Sequence, residues 1–143
     1  AVSRGAKTPF LVGDMPFGSY ETSAKDALRN AIRFIKEGNM EAIKLEGGTE
    51  MEKTIQQITS IGIPVLGHIG LTPQRKSSLG DDAKALQRAG CFAIVMEAIP
   101  GPVAAYITKQ IQIPTIGIGA GSGTSGQVLV QQDMLGIFDK FVP

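Results

Sequence analysis

Five short apolar runs recur along the chain, separated by segments with helical spacing, and this alternation most constrains the fold. The runs are residues 9–12, 42–46, 64–68, 91–97 and 114–119. Near-continuous apolar strands that alternate with helices are typical of a parallel sheet covered by helices. A complete (β/α)₈ barrel takes about 250 residues, and this chain has 143. Periodicity alone therefore leaves two alternatives open, a doubly wound sheet and an incomplete barrel.

Helix starts and an internal repeat support this division into elements. Ser23 with Asp26, and Thr49 with Glu52, have the spacing of capping boxes. The stretch IGIPVLG at 61–67 resembles IQIPTIG at 111–117, fifty positions on. Each copy joins a helix exit, a proline and a buried strand. Such a repeat is expected of serial β/α units in one parallel sheet.

Composition excludes several classes of protein. A single cysteine forms no internal disulfide, and the net charge of +1 is spread without a basic block. No apolar run approaches the roughly 20 residues of a membrane span. We therefore expect an intracellular protein without nucleic-acid or membrane partners, and cytoplasm and mitochondrial matrix are equally compatible with it.

Ionisable residues follow four consecutive predicted strands at their carboxyl ends, where parallel α/β folds bind ligands. They are Asp14, then Lys44 with Glu46, then His68, then Glu97. Because strand side chains alternate, Lys44 and Glu46 share a face, as do Glu97 and Val95, and Asp14 and Val12.

Each of these residues also has a structural interpretation. Lys44 and Glu46 could form an ion pair, Asp14 could organise a turn, and His68 could be a buried hydrogen-bonded histidine. Their joint placement at one end of the sheet favours a functional site over any of these.

Three acidic residues with one lysine suit a hard cation such as Mg²⁺. A cation of this kind can chelate a 2-oxo acid and lower the cost of removing an adjacent proton, with a glutamate as base. Lys44 could instead form a Schiff base. The spacing of these residues along the chain does not distinguish metal-assisted proton removal from Schiff-base formation.

The glycine-rich segment 117–123 supports a further alternative, a non-catalytic module that binds anions through backbone amides. The segment does not fit the dinucleotide-binding pattern G-x-G-x-x-G, because Ser122 and Thr124 stand at the final positions. Cys91, at the start of a predicted strand, is expected to pack as a small apolar residue.

The chain resembles the ketopantoate hydroxymethyltransferase family. The matching stretches are GDMPFGSY (13–20), IKLEGG (43–48), GHIGLTPQ (67–74), MEAIP (96–100) and IGIGAG (116–121), in order over nearly the whole chain. The resemblance implies an α/β fold, a (β/α)₈ TIM barrel of the phosphoenolpyruvate/pyruvate superfamily. It also implies a homo-oligomer, often a decamer.

The resemblance further implies roles for individual residues. Asp14 and Glu46 would be metal ligands, with Mg²⁺ or a similar cation. Asp14, Lys44 and His68 would bind the oxo acid, and Glu97 would be the base that removes the C3 proton of 3-methyl-2-oxobutanoate. The resulting enolate would attack the methylene carbon of 5,10-methylenetetrahydrofolate and give 2-dehydropantoate. A lyase or aldolase acting on another 2-oxo acid, with metal or a Schiff base, is the nearest alternative.

The chain departs from the family pattern in four respects. An earlier Asp-Ser pair, a longer glycine-rich lid and the C-terminal helices are missing, and Gln132-Asp133 replaces a histidine-aspartate pair. We therefore expect residues 1–143 to be one partial barrel domain, with segments missing before Ala1, between Gly80 and Asp81, and after Pro143.

Overall fold

The computed structural model describes residues 2–70 and 79–137. The strands are β1 (Val12–Asp14), β2 (Ala42–Glu46), β3 (Val65–Gly70), β4 (Ala93–Glu97), β5 (Thr115–Ile118) and β6 (Gly126–Gln127). The helices are α1 (Val2–Gly5), α2 (Ala24–Lys36), α3 (Glu52–Ser60), α4 (Leu79–Arg88), α5 (Gly101–Gln110) and α6 (Gln131–Met134), with a 3₁₀ turn at Thr49–Met51.

The six strands form one parallel sheet in which the spatial order of the strands follows the chain order from β1 to β6. Consecutive helices contact one another, α2 with α3, α3 with α4, and α4 with α5. A doubly wound sheet reverses its strand order and places helices on both faces. The observed order and helix contacts identify an incomplete (β/α)₈ barrel, which confirms the fold implied by the family resemblance.

The two faces of the sheet carry different apolar layers. The larger layer lies between the sheet and its helices. It includes Ile43 and Leu45 of β2, Ile94 and Met96 of β4, and residues of α2 to α5. The smaller layer lies on the opposite, inner face and is formed by Leu66, Ala93 and Val95, packed with Val12, Ile116 and Ile118. Strand residues therefore alternate between the helix layer and the inner face, as their spacing predicts.

One predicted helix cap is confirmed and the other is wrong. Ser23 is the N-cap of α2, and its side chain accepts a hydrogen bond from the Asp26 amide at 3.0 Å. At the second position the cap residue is Gly48, and the Thr49 amide donates instead to Oδ1 of Asp82 at 2.9 Å. Asp82 is buried in α4. A carboxylate from a packed neighbouring helix thus replaces the local partner.

Several strand boundaries differ from the sequence predictions by a few residues. The first strand is β1 rather than residues 9–12, and Pro9 has no N–H to donate to a sheet. Gly38 follows the C-cap residue Glu37 and so occupies the C′ position that the sequence predicts for it, and the left-handed residue is the next one, Asn39, with φ 54°. The two-residue strand β6 was not predicted, because so short a strand has no period of its own. Cys91 is buried, as expected.

Positions 71–74 of the stretch 67–74 lie outside the described residues. The sequence also predicts a mixed helix and turn over 127–138; α6 lies within this range, and position 138 lies outside the described residues. The point between Gly80 and Asp81, where a missing segment is expected, falls in the first turn of α4. No helix in the described ranges is long and apolar enough to cross a membrane.

Candidate active site

The five ionisable residues singled out by the sequence lie together on the inner face of the sheet. Asp14, Glu46 and Glu97 are the last residues of β1, β2 and β4, and Lys44 and His68 lie two residues before the ends of β2 and β3. The strand register pairs Asp14 with Lys44 and Glu46 with His68. The carboxyl end of the sheet therefore brings all five into one cluster above the inner apolar layer.

His68 is at the centre of this cluster. Its Nε2 atom lies 3.0 Å from Oε2 of Glu97, and its Nδ1 atom lies 3.2 Å from Oε1 of Glu46 and 3.4 Å from Nζ of Lys44. The His68 side chain is only 8 % exposed, whereas that of Glu97 is 54 % exposed. A buried imidazole thus connects two carboxylates that face solvent.

Lys44 links the imidazole to the edge of the cluster. Its Nζ atom lies 2.9 Å from Oδ1 of Asp14, on the neighbouring strand, in addition to its contact with His68. The side chain is mostly buried, and Asp14 is mostly exposed. The ammonium therefore supplies the only positive charge among the five residues when His68 is neutral.

The surroundings of His68 decide its protonation. Burial is the main cause that lowers the pKa of His68, and the nearby Lys44 ammonium lowers it further. The surrounding carboxylates act in the opposite direction without reversing the shift. A neutral imidazole has one N–H. We assign it to Nε2, because the contact of Nε2 with Glu97 is shorter than that of Nδ1 with Glu46 and because Lys44, which can only donate, also faces Nδ1.

Sequence reasoning missed Tyr20, which secures the end of β2. Its hydroxyl oxygen accepts a hydrogen bond from the Glu46 amide at 3.1 Å, and the residue is 5 % exposed. Burial is the main cause that raises the pKa of Tyr20, and nearby carboxylates raise it further. The available signal was its place as the last residue of the stretch 13–20, after the loop that follows β1.

The backbone around Glu97 is also constrained. Ala98 has a φ of 53°, in the left-handed region that alanine rarely occupies, and its amide donates to the Ile118 carbonyl at 2.9 Å. Gly70, paired with Glu97, lies so close that an added Cβ would be 2.7 Å from the Glu97 carbonyl oxygen. Alanine carries no sequence signal for a left-handed position, so this feature could not be predicted.

The glycine-rich segment 117–123 packs against the start of α5. Gly121 has a φ of 72°, and a Cβ added there would lie 3.0 Å from Cα of Gly101. At Gly123 an added Cβ would lie 2.5 Å from the Ala105 side chain. Close packing on α5 is sufficient to explain both glycines.

The carboxylates of Asp14 and Glu46 are the type of ligand that a hard divalent cation binds. Asp14 and Glu46 end neighbouring strands on one face, both are mostly exposed, and their oxygen atoms are the ligands that Mg²⁺ prefers. Within residues 2–70 and 79–137, no group of three or more His, Cys, Asp or Glu side chains surrounds a common point. Two protein carboxylates with oxygen atoms from substrate and water are a usual Mg²⁺ set.

Solved structures of low sequence identity share the fold. Dihydrodipicolinate synthase from Agrobacterium tumefaciens is 16% identical, with a TM-score of 0.56 over 83% of this chain and 48% of that chain. An enolase, described as a putative sugar isomerase, from Streptomyces coelicolor is 15% identical, with a TM-score of 0.56 over 75% of this chain and 31% of that chain. At these identities the likeness concerns the fold alone.

Sequence relatives are much closer. The 3-methyl-2-oxobutanoate hydroxymethyltransferase of Oleidesulfovibrio alaskensis is 50% identical over 100% of this chain and 55% of the relative. That of Heliobacterium modesticaldum is 51% identical over 99% of this chain and 57% of the relative. The chain thus spans about half the length of these curated relatives. A family model described as ketopantoate hydroxymethyltransferase matches residues 1–143, and the chain therefore belongs to the ketopantoate hydroxymethyltransferase family.

Proposed function

We propose that the protein carrying this chain transfers a hydroxymethyl group to 3-methyl-2-oxobutanoate in pantothenate biosynthesis. The co-substrate is 5,10-methylenetetrahydrofolate, the products are 2-dehydropantoate and tetrahydrofolate, and one water molecule supplies the hydroxyl oxygen. Family membership and the names of the relatives support this reaction. The main supporting observation is the exposed Glu97 carboxylate, which lies 3.0 Å from His68 in a cluster that also contains the Lys44 ammonium.

Glu97 is the proposed base. Its side chain is half exposed at the end of β4, so a substrate can reach it, and its carboxylate can accept the C3 proton of the oxo acid. Loss of that proton leaves an enolate, and the electron pair at C3 forms the new bond to the methylene carbon. The two bonds from that carbon to N5 and N10 of the folate break, water adds its hydroxyl to the carbon, and the nitrogens each gain a proton as tetrahydrofolate leaves. The proton stays on the Glu97 carboxyl until solvent or product removes it.

Lys44 and Asp14 are proposed to bind the oxo acid at the edge of the cluster. The Lys44 ammonium can balance the negative charge of the substrate carboxylate and of the enolate, an electrostatic role that is stronger in a partly buried site. The substrate carboxylate would compete with Asp14 for this ammonium, which now lies 2.9 Å from Oδ1 of Asp14.

Asp14 and Glu46 are proposed to hold Mg²⁺ or a similar divalent cation. When bound, such a cation polarises the carbonyl of the oxo acid and makes the adjacent C–H bond more acidic. The backbone at Glu46 is held in place because its amide donates a hydrogen bond to the buried Tyr20 hydroxyl oxygen.

The alternative of an imine on Lys44, as in a Schiff-base lyase or aldolase, has less support. Imine-forming lysines are activated by desolvation or by another cation. Lys44 is mostly buried, but its Nζ atom contacts the Asp14 carboxylate and the His68 imidazole rather than another cation. Borohydride reduction in the presence of oxo acid separates the two, because an imine would leave substrate mass on Lys44.

The full-length gene product tests the proposal directly. Incubated with 3-methyl-2-oxobutanoate, 5,10-methylenetetrahydrofolate and Mg²⁺, it should form 2-dehydropantoate, followed by mass spectrometry. Omission of any one component, or addition of a chelator, should stop the reaction. Absence of product with all three present would contradict the proposal. We also propose a homo-oligomer, on family resemblance, and light scattering of the same sample measures it.

A further inference from the structure

We propose that His68 is a positioning residue for Glu97: Nε2 of its imidazole, 3.0 Å from Oε2 of Glu97, donates a hydrogen bond that fixes the Glu97 carboxylate for proton removal. The inference rests on the proposed function, because it concerns the base of that reaction. It also changes the role expected for His68, from a substrate-binding residue to one that acts through Glu97.

The geometry places His68 where it can restrain Glu97. Gly70, two residues after His68, is paired with Glu97 across β3 and β4, and His68 itself is paired with Val95. The two side chains are therefore diagonal neighbours on one face, a separation that long side chains bridge. The bridge is the 3.0 Å contact between Nε2 of His68 and Oε2 of Glu97.

Glu97 needs such a restraint because its other close contacts constrain its backbone and not its side chain. Ala98 and Gly70 constrain the chain on either side of the carbonyl of Glu97. The side chain is 54 % exposed, and within the described residues its hydrogen-bond or ion-pair contact is the one to His68. A solvent-facing glutamate samples several rotamers, so one fixed donor selects among them.

His68 is suited to hold another group and poorly placed to bind substrate itself. Both ring nitrogens already face protein groups, and only 8 % of the side chain is exposed. Nδ1 faces both Nζ of Lys44, which can only donate, and Oε1 of Glu46, which can only accept, whereas Nε2 faces the Glu97 carboxylate at the shorter distance of 3.0 Å.

Two amide variants separate the ring nitrogens. In His68→Gln the side-chain N–H reaches the former position of Nε2 and can still donate to Glu97, whereas in His68→Asn it reaches only the position of Nδ1. With the full-length gene product in deuterated water, we expect exchange of the C3 proton to fall by about 100-fold in His68→Asn and to stay within about fivefold in His68→Gln. KM for the oxo acid should change little in either variant.

Three outcomes would overturn the inference. Equal loss of exchange in both variants, with unfolding midpoints equal to that of the wild type, would exclude the Nε2 donor. A rise in KM without loss of turnover would assign His68 to substrate binding. If both variants exchanged the C3 proton as fast as the wild type, His68 would have no role in the reaction.

A spectroscopic readout keeps the inference separate from the proposed function. The ¹⁵N shifts of the imidazole, assigned by their loss in His68→Gln, should show the proton on Nε2, and Glu97→Gln should shift that N–H signal. An imidazole without a proton on Nε2 would contradict the inference. A wild type that fails to exchange the C3 proton but shows these shifts would contradict the proposed function alone.

Discussion

The Nζ atom of Lys44 lies 2.9 Å from Oδ1 of Asp14, and the two residues are register partners across β1 and β2. An ammonium thus occupies one side of a carboxylate that we propose as a metal ligand. Because two cations cannot share one carboxylate without repulsion, Lys44 and the divalent cation should compete for Asp14.

Lys44→Met should therefore strengthen binding of a divalent cation while it weakens binding of the oxo acid. Removal of the ammonium relieves a repulsion of about 1 kcal/mol or more, so Mn²⁺ affinity measured by electron paramagnetic resonance should rise by at least about fivefold. The control is Lys36→Met, at an exposed lysine of α2. Unchanged or weaker Mn²⁺ binding in Lys44→Met would show that Lys44 and the cation do not share Asp14.

Tyr20→Phe should destabilise the protein, because it leaves the Glu46 amide without its acceptor in a site that water does not reach freely. An unsatisfied donor of this kind costs about 1–2 kcal/mol, measured by urea unfolding. Tyr106→Phe is the matched control, since Tyr106 is 62% exposed and should change the unfolding free energy little. Equal stability of the two variants would remove the structural role of Tyr20.

Gly48→Ala should also destabilise the protein. A Cβ at this position would collide with the Asp82 carboxylate that accepts from the Thr49 amide. Overpacking typically costs about 1–3 kcal/mol, and a lower thermal unfolding midpoint should report it. Gly80→Ala, where an added Cβ meets nothing within 4 Å, is expected to be neutral or stabilising. A neutral Gly48→Ala would show that the Asp82 contact can move without cost.

Cys91 should resist alkylation in the folded protein. Burial raises the pKa of the Cys91 thiol to about 12, only partly offset by a backbone hydrogen bond at Gly67. The thiolate is the reactive form, so iodoacetamide at pH 8 should modify Cys91 about a thousandfold more slowly than after unfolding in guanidinium. Peptide mass spectrometry measures both rates, and comparable rates would contradict the burial account.

The same shift predicts how stability depends on pH. The unfolded thiol ionises near its ordinary value of 9.0, while the folded thiol keeps its proton up to about pH 12. Between these values the unfolded state binds fewer protons, so the contribution of Cys91 to stability falls as pH rises. The difference between wild type and Cys91→Ala in urea unfolding should show this slope, and a pH-independent difference would contradict it.

The cluster of ionisable residues could be predicted because it depends on two general rules. Parallel strands present their carboxyl ends at one edge, and alternate residues share a face. These rules place Asp14, Lys44, Glu46, His68 and Glu97 together without knowledge of any distance. The prediction that each has its proposed role stays a prediction, since proximity does not assign chemistry.

Features set by tertiary contacts could not be predicted from local patterns. The pair Thr49 and Glu52 has the spacing of a capping box, but Asp82 of a later helix supplies the acceptor. Tyr20 meets Glu46 only because the loop after β1 folds over the end of β2. Whether the strands form a barrel or an open sheet likewise depends on the side of the sheet on which each helix crosses. The periodicity of the strands carries no information about that side.

Exchange of the C3 proton of 3-methyl-2-oxobutanoate in deuterated water tests the central claim most directly. In the full-length gene product, Glu97→Gln should slow the exchange measured by proton NMR by at least about 100-fold, because an amide cannot accept the proton. Glu52→Gln, at a glutamate of α3 that pairs with Arg88, should leave the rate unchanged. Exchange in Glu97→Gln as fast as in the wild type would contradict the account.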